Sequence, residues 1–328
     1  MLVLTVNAGD DLDFLEAQIE YHLSAGVDHV VVGGVPPSSD AVQDRIQRFA
    51  PDEASLEPLT SPSPDSARTQ LRRAGVERGA EWLIEGDEDE FWWPRGASLR
   101  ETLDPVPPRY TTVQALVRIF VSRPVDHGSF EERMIIRPSL LSPKAHPEPL
   151  AWALKPVHRV RDGEIVDAVD LRFVPLRSWY PIEVLRFPLR DAAHAAALRA
   201  RANEPRSTLE AALLAAGGDD KPSHDDVFGD DESLRVGLGD GTLVEDTRLR
   251  DYLHALRTGG NPGRTTPTIV DEASHAVECA AVGEVDLAGL DRSIRELEDR
   301  IATLEQRFWP RVQRGLIRMS GRHRGRAR

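Results

Sequence analysis

Along the N-terminal part of the chain, apolar and polar positions keep two alternating rhythms. "LVLTVN" (residues 2–7) is almost continuously apolar and ends in a polar turn, "NAGDD", which predicts a buried strand. Leu12, Leu15, Ile19 and Leu23 then recur at helical spacing, with Gly26 as the candidate C-cap. "VDHVVVGG" is a second apolar run. Strand, helix and strand within about thirty residues make a βαβ unit, hence a parallel pair with a right-handed crossover. "SSDAVQDRIQRF" and "DSARTQLRRAGVERG" predict further helices, the first capped by Ser or Asp. "AEWLIEG" predicts a further strand.

Residues 110–190 are more β-like, with "YTTVQALVRIFV", "EERMIIRPS", "LKPVHRVRDG" and "YPIEVLRFP". Residues 203–275 are rich in Gly, Asp and Pro, with short helices expected at "STLEAALLAAG" and "DTRLRDYLHALR" and a linker at "TGGNPGRTTPT". Leu290, Ile294, Leu297, Ile301, Leu304 and Phe308 then alternate spacings of four and three, a heptad seam. It predicts either a homo-oligomer joined through residues 287–308 or a helix packed on its own domain. The expected organisation is an α/β domain over residues 1–200, an accessory region and linker over 201–275, and a heptad helix with an Arg-rich tail over 276–328.

Composition narrows the field. A formal charge of −13 over 328 residues argues against a general nucleic-acid binder. The single cysteine, Cys279, excludes an intrachain disulfide and fits a reducing compartment. "MLVLTV" is too short and lacks the basic flank of a signal peptide, and no apolar run approaches membrane-spanning length. The expected location is the cytoplasm. The tail "RVQRGLIRMSGRHRGRAR" carries seven arginines and no acid on an otherwise acidic chain. It fits either peripheral contact with the anionic inner face of a membrane, or an acidic partner, or a disordered solubilising tail. Lysine is scarce, with only Lys144, Lys155 and Lys221.

The chemistry gathers in "IEGDEDEFWWP", Ile84–Pro94, where four consecutive acids separate an apolar run from three aromatic rings. Ligands of open α/β sheets bind outside the carboxyl ends of the strands, where these acids fall. Asp87 and Asp89, two apart, can converge on one hard divalent cation such as Mn²⁺ or Mg²⁺, which take oxygen ligands and substrate phosphates. A solvated acidic turn is the plainer alternative. The adjoining Phe91, Trp92 and Trp93 favour a pocket, because rings beside an acid cluster are costly unless they wall one, and Trp92 and Trp93 either stack on a sugar face or simply fill the core.

These residues resemble the family 2-like glycosyltransferases of GT-A fold, in particular a bacterial group whose metal site reads D-x-D-E-F-W-W-P. Five blocks follow in the group's order across residues 1–200: "YHLSAGVDHVVV", "GAEWLIEGDEDEFWWPRGASLRETLDPVPPRY", "FVSRPVDHGSFEERMIIRP", "LKPVHRV" and "WYPIEVLRFPLR". "GTLVEDTRLRDYL" resembles the group's C-terminal region. The resemblance implies a GT-A mixed sheet flanked by helices, with a C-terminal helical extension. It implies a nucleotide-sugar donor, a glycan or other hydroxyl acceptor, and single-displacement, inverting transfer. Asp87 and Asp89 would hold Mn²⁺ or Mg²⁺ against the diphosphate, stabilising the leaving nucleoside diphosphate.

The chain also departs from the group. Strand one is followed by Asn7, Asp10 and Asp11 where the group has Asp-Glu or Asn-Glu. Gly33 and Gly34 stand where an Asp ends the second strand, and "SSDAV" keeps Ser39 and Asp40 but loses a Gly. "VDAVDL" replaces an expected G-N-H, and Arg186 an expected His. Arg186 cannot ligate a metal but can pair with a diphosphate. In a working transferase, Asn7, Asp11, Ser39, Asp40, His158 and Arg186 would serve the donor, and Asp170 or Glu183 would be the base. The alternatives are a decayed pocket in a binding or scaffold protein, and a coiled-coil adaptor that uses its C-terminal heptads.

Overall fold

A computed structural model describes residues 1–8, 12–34, 39–60, 63–96, 98–121, 129–139, 154–166, 174–177, 179–188 and 231–260, with Arg172, Pro262 and Ala280. The chain divides after Cys279 into two units. The heptad seam, the arginine tail, Cys279, the "STLEAALLAAG" helix and most of "TGGNPGRTTPT" lie outside the described residues.

In the first unit β1 (Leu2–Asn7), α1 (Leu12–Ser24) and β2 (His29–Gly34) form the expected βαβ unit, with β1 and β2 parallel. There follow α2 (Ser39–Ile46), β3 (Ala54–Pro58), α3 (Pro64–Glu77), β4 (Trp82–Asp87), β5 (Glu90–Pro94) and α4 (Leu99–Leu103). Then come β6 (Thr112–Ile119), α5 (Phe130–Arg133), β7 (Ile136–Pro138), β8 (Leu154–Arg161), β9 (Glu164–Ile165), β10 (Pro175–Leu176) and β11 (Ile182–Arg186). The described part closes with α6 (Asp231–Asp240), β12 (Leu243–Glu245) and α7 (Arg248–Arg257).

The main sheet runs β3-β2-β1-β4-β8-β6-β11-β5, with β9 beside β8 and β10 beside β6. Its first half, β3 to β4, is parallel; β8 runs against β4 and β6, and β5 runs against β11. This is the mixed α/β sheet flanked by helices expected of a nucleotide-sugar-transferase-like fold. The continuous apolar runs follow from burial on both faces. Leu4 and Val6 share a core with Phe14, Leu15 and Ile19 of α1, while Val3 and Val31 pack with Ala67, Leu71 and Ala74 of α3. Gly26 ends the first helix at φ +100°, in the left-handed region a glycine enters without strain.

One connection shapes the whole sheet. β4 and β5 are joined by Glu88 and Asp89 alone, yet β8, β6 and β11 lie between them in strand order. Four strand spacings laid flat would span about 19 Å. Three residue steps reach at most about 11 Å. The sheet therefore curls until the carboxyl end of β4 meets its far edge, and the acids of the DEDE stretch sit on the seam.

Several elements differ from the sequence pattern. β3 has only one fully buried position, Ala54, so its apolar signal is weak. β5 is a strand over "EFWWP", every residue but its Pro buried, where the pattern suggested a turn followed by pocket rings. "EERM" begins as the short helix α5 and only then becomes strand β7, because Ser129 donates its backbone N–H to the Glu132 carboxylate and starts a helical turn. Within the region expected to be accessory, Leu249 and Leu253 of α7 are buried in the main core.

Candidate functional site

The site is built where β4 ends. Asp87 is its last residue and pairs in register with Asn7, the last of β1, which in turn pairs with Gly33 of β2. The carboxyl ends of three parallel strands thus share one rim. Asp87, Asp89 and Glu90 each bring a carboxylate oxygen within 4.8 Å of the others. Three acids so close would repel one another in isolation. Two cations hold them together. Lys155, at the start of β8, lies 3.1 Å from Asp87 and 2.6 Å from Glu90. Arg186, at the end of β11 and in register with Glu90, lies 3.4 Å from Asp87, 3.2 Å from Asp89 and 3.5 Å from Glu90.

This explains how the chain holds three acids together beside its core. Burial pushes the Asp87 carboxyl up, but Lys155 and Arg186 outweigh it and hold the group below its usual range. Burial prevails at Asp89, whose pKa is raised although Arg186 opposes it. Glu90, with no exposed surface, is pushed by burial up to about 7, only partly offset by Lys155. Burial alone would lower the Arg186 pKa, yet the three acids raise it. The cluster formally sets three negative charges against two positive.

A second layer braces the turn. Gln18 of α1 is fully buried and donates its side-chain amide to the backbone carbonyls of Asp87 (2.7 Å) and Glu90 (2.8 Å). One turn on, His22 accepts the backbone N–H of Trp92 at Nε2 (3.0 Å) and donates from Nδ1 to the Gln18 carbonyl (2.7 Å). Burial pushes the His22 pKa down to about 3, so the ring is neutral and keeps the lone pair that Trp92 needs. His22 is thus a helix–sheet histidine. The helical spacing of α1 pointed to its apolar face; a glutamine on that face was the available signal for Gln18. For Lys155 the signal was its rarity among the basic residues.

The remaining predicted residues divide. Asn7 is on the rim, exposed. Asp40 is exposed in the first turn of α2, and Ser39 begins that helix. His158 is buried on β8 and lies 3.6 Å from Glu85, which precedes the acids on β4. Asp11 and Asp170 lie outside the described residues.

Glu183 is 1% exposed and receives Arg118 (2.7 Å) and Arg248 (2.5 Å), with Arg95 at 3.6 Å. Burial raises its pKa, but these guanidinium groups hold it well below the carboxylate range. A carboxylate so stabilised as the anion is a poor proton acceptor, which favours Asp170, the other candidate, for the base. The aromatic trio fills the core, one of the two readings open for Trp92 and Trp93 in the sequence. Phe91 packs on Phe14, Tyr21, Phe130 and Phe187, and Trp93 stacks on Tyr21 with Tyr252 at its edge.

At Gly33, one of the two glycines that end β2, a Cβ would lie 3.0 Å from both Leu59 and Leu71. Those leucines occupy the volume on that side of the strand end.

No family model matches the chain, and no curated protein matches it. Among solved structures it is similar to HddC from Yersinia pseudotuberculosis, at 12% identity and TM-score 0.27, over 39% of this chain and 63% of that one. It is similar to 4-diphosphocytidyl-2C-methyl-D-erythritolsynthase from Anaerococcus prevotii, at 11% identity and TM-score 0.26, over 67% and 84%. A third likeness is to mouse xyloside xylosyltransferase 1, at 12% identity and TM-score 0.22, over 35% and 52%. The chain therefore spans less than two thirds of the length of HddC in that alignment and of the xylosyltransferase. At such identities the chemistry has to be argued from the site's own residues.

Proposed function

We propose that the chain is a glycosyltransferase that binds a nucleoside diphosphate sugar at the acid–cation cluster and transfers the sugar to a hydroxyl acceptor. The observation that carries this reading is the convergence of Asp87, Asp89, Glu90, Lys155 and Arg186 at the carboxyl end of β4. A nucleoside diphosphate needs positive charge that is held in place, and Lys155, Arg186 and a bound divalent cation together would outweigh the three acids to supply it.

The donor set also fits a hard cation: three carboxylates, all oxygen ligands, on adjoining residues. Asp87 and Asp89 would hold Mn²⁺ or Mg²⁺, which when bound supplies Lewis-acid stabilisation of the diphosphate. The chain's own contribution is positional. Gln18 fixes the backbone of the β4–β5 turn, Lys155 anchors Glu90, and Arg186 offers its guanidinium to phosphate oxygens. Asn7, in register with Asp87, and Asp40 would serve the donor in this reading. Asp170 takes the base role in this reading, on the strength of the sequence alone.

A non-catalytic binding protein is the second reading. What favours it is the packing of Leu59 and Leu71 against Gly33, on the side where the resembled group places an acid for the nucleotide base. A panel of nucleotide sugars, assayed for nucleoside diphosphate release with Mn²⁺, separates the two. The transferase reading expects release with at least one donor and its loss in Asp89→Ala, with the fold retained by circular dichroism. Binding of donors without release in any condition favours the second reading.

A further inference from the structure

The position between the three acids already holds a cation. The Arg186 side chain is 8% exposed and reaches Asp87 through one terminal nitrogen, Asp89 through Nε and Glu90 through the other, at 3.2–3.5 Å. A guanidinium that touches every member of a potential ligand set has two effects on an incoming metal. It occupies carboxylate lone pairs that the metal needs, and it cancels one unit of the charge that would attract it. Lys155 acts differently. It pairs with two of the three acids, Asp87 and Glu90, and acts on Asp89 only through its charge.

We propose that the Arg186 guanidinium and a divalent cation are alternative occupants of the Asp87–Asp89–Glu90 triad, so that the guanidinium must leave the acids before a metal can bind. This rests on the reading of the triad as a diphosphate and metal site, and it names the device that regulates loading. Free protein holds metal weakly because its own cation is in place. An anionic ligand such as a diphosphate gives the guanidinium a second partner of the same chemistry, and its departure frees the carboxylates. Metal and diphosphate then load together, while neither alone displaces Arg186 easily. The coupling is reciprocal, as any coupling of two binding equilibria must be.

The test uses the full chain without nucleotide, with Mn²⁺ as probe and free Mn²⁺ followed by electron paramagnetic resonance. Arg186→Gln, which keeps hydrogen-bonding capacity but removes the charge, is expected to bind Mn²⁺ at least about tenfold more tightly than wild type. Arg186→Lys, which keeps the charge, is expected to stay within about threefold of wild type. Adding Asp89→Asn to Arg186→Gln should remove the gain. Equal Mn²⁺ affinity in wild type and Arg186→Gln overturns the proposal, and so does a gain that survives Asp89→Asn.

Should Arg186→Gln not fold, the wild-type protein supplies the readout. The ¹⁵N resonance of Arg186 Nε is expected to shift as Mg²⁺ is driven in, and Mg²⁺ bound with that resonance unmoved contradicts exchange. Because none of these measurements contains nucleotide, the outcome stands apart from the transferase reading. A protein that gains Mn²⁺ on Arg186→Gln but binds no nucleoside diphosphate keeps this inference and loses that reading. One that binds nucleoside diphosphate with Mn²⁺ but shows no gain does the reverse.

Discussion

His22 shows how a single buried side chain ties stability to pH. Its pKa is depressed to about 3 in the fold and returns to about 6.5 on unfolding. A depressed histidine favours the neutral form, so the unfolded chain binds the proton first as pH falls. The stabilisation is complete above pH of about 6.5 and is lost progressively as pH falls towards 3. His22→Phe should flatten the pH dependence of thermal unfolding between pH 6.5 and 4. It should also cost about 1–3 kcal/mol at pH 8, because the Trp92 N–H loses its acceptor. An unchanged pH slope would assign acid sensitivity to other groups. At this scale the sequence was legible where chemistry is concentrated: four acids in a row cannot be missed. It was illegible where the curl of the sheet decides the neighbours. Lys155 and Arg186 are 65 and 97 residues from their acidic partners, Glu90 and Asp89.

At the scale of elements, the parallel half of the sheet followed from apolar rhythm, because strands buried on both faces between α1 and α3 must be apolar throughout. β5 did not, since its aromatic residues carry no alternation and its first residue is a buried glutamate. Helix α7 illustrates a tertiary bond that no local pattern discloses. Its Arg248 joins Glu183 of β11 at 2.5 Å and Asp246 at 2.7 Å, and Asp246 receives Arg137 of β7 at 2.8 Å. Removing the charge from Glu183 takes a shared buried carboxylate from Arg118 and Arg248, although Arg248 keeps Asp246, so Glu183→Gln should lower stability by about 3 kcal/mol in urea unfolding. A general-base role would instead leave stability near wild type and abolish turnover. That contrast makes Glu183 the clearest check on the choice between it and Asp170.

At the scale of the whole molecule, no helix among the described residues is long and apolar enough to cross a membrane. The chain divides after Cys279, and every residue of the candidate cluster belongs to the first unit. Deleting residues 286–328 should therefore leave nucleoside diphosphate binding within about twofold of the full chain. In the adaptor reading of the heptads, the same deletion instead loses the protein partner. The account's central claim is that the acid–cation cluster is a diphosphate site, and calorimetric titration of UDP and GDP into the full chain tests it most directly. With Mn²⁺ present, at least one of the two should bind at one site, and chelation of the metal should weaken it by about tenfold or more. Equal binding in chelator would contradict a metal role for Asp87 and Asp89, and no binding of either nucleotide under any condition would contradict the diphosphate site itself.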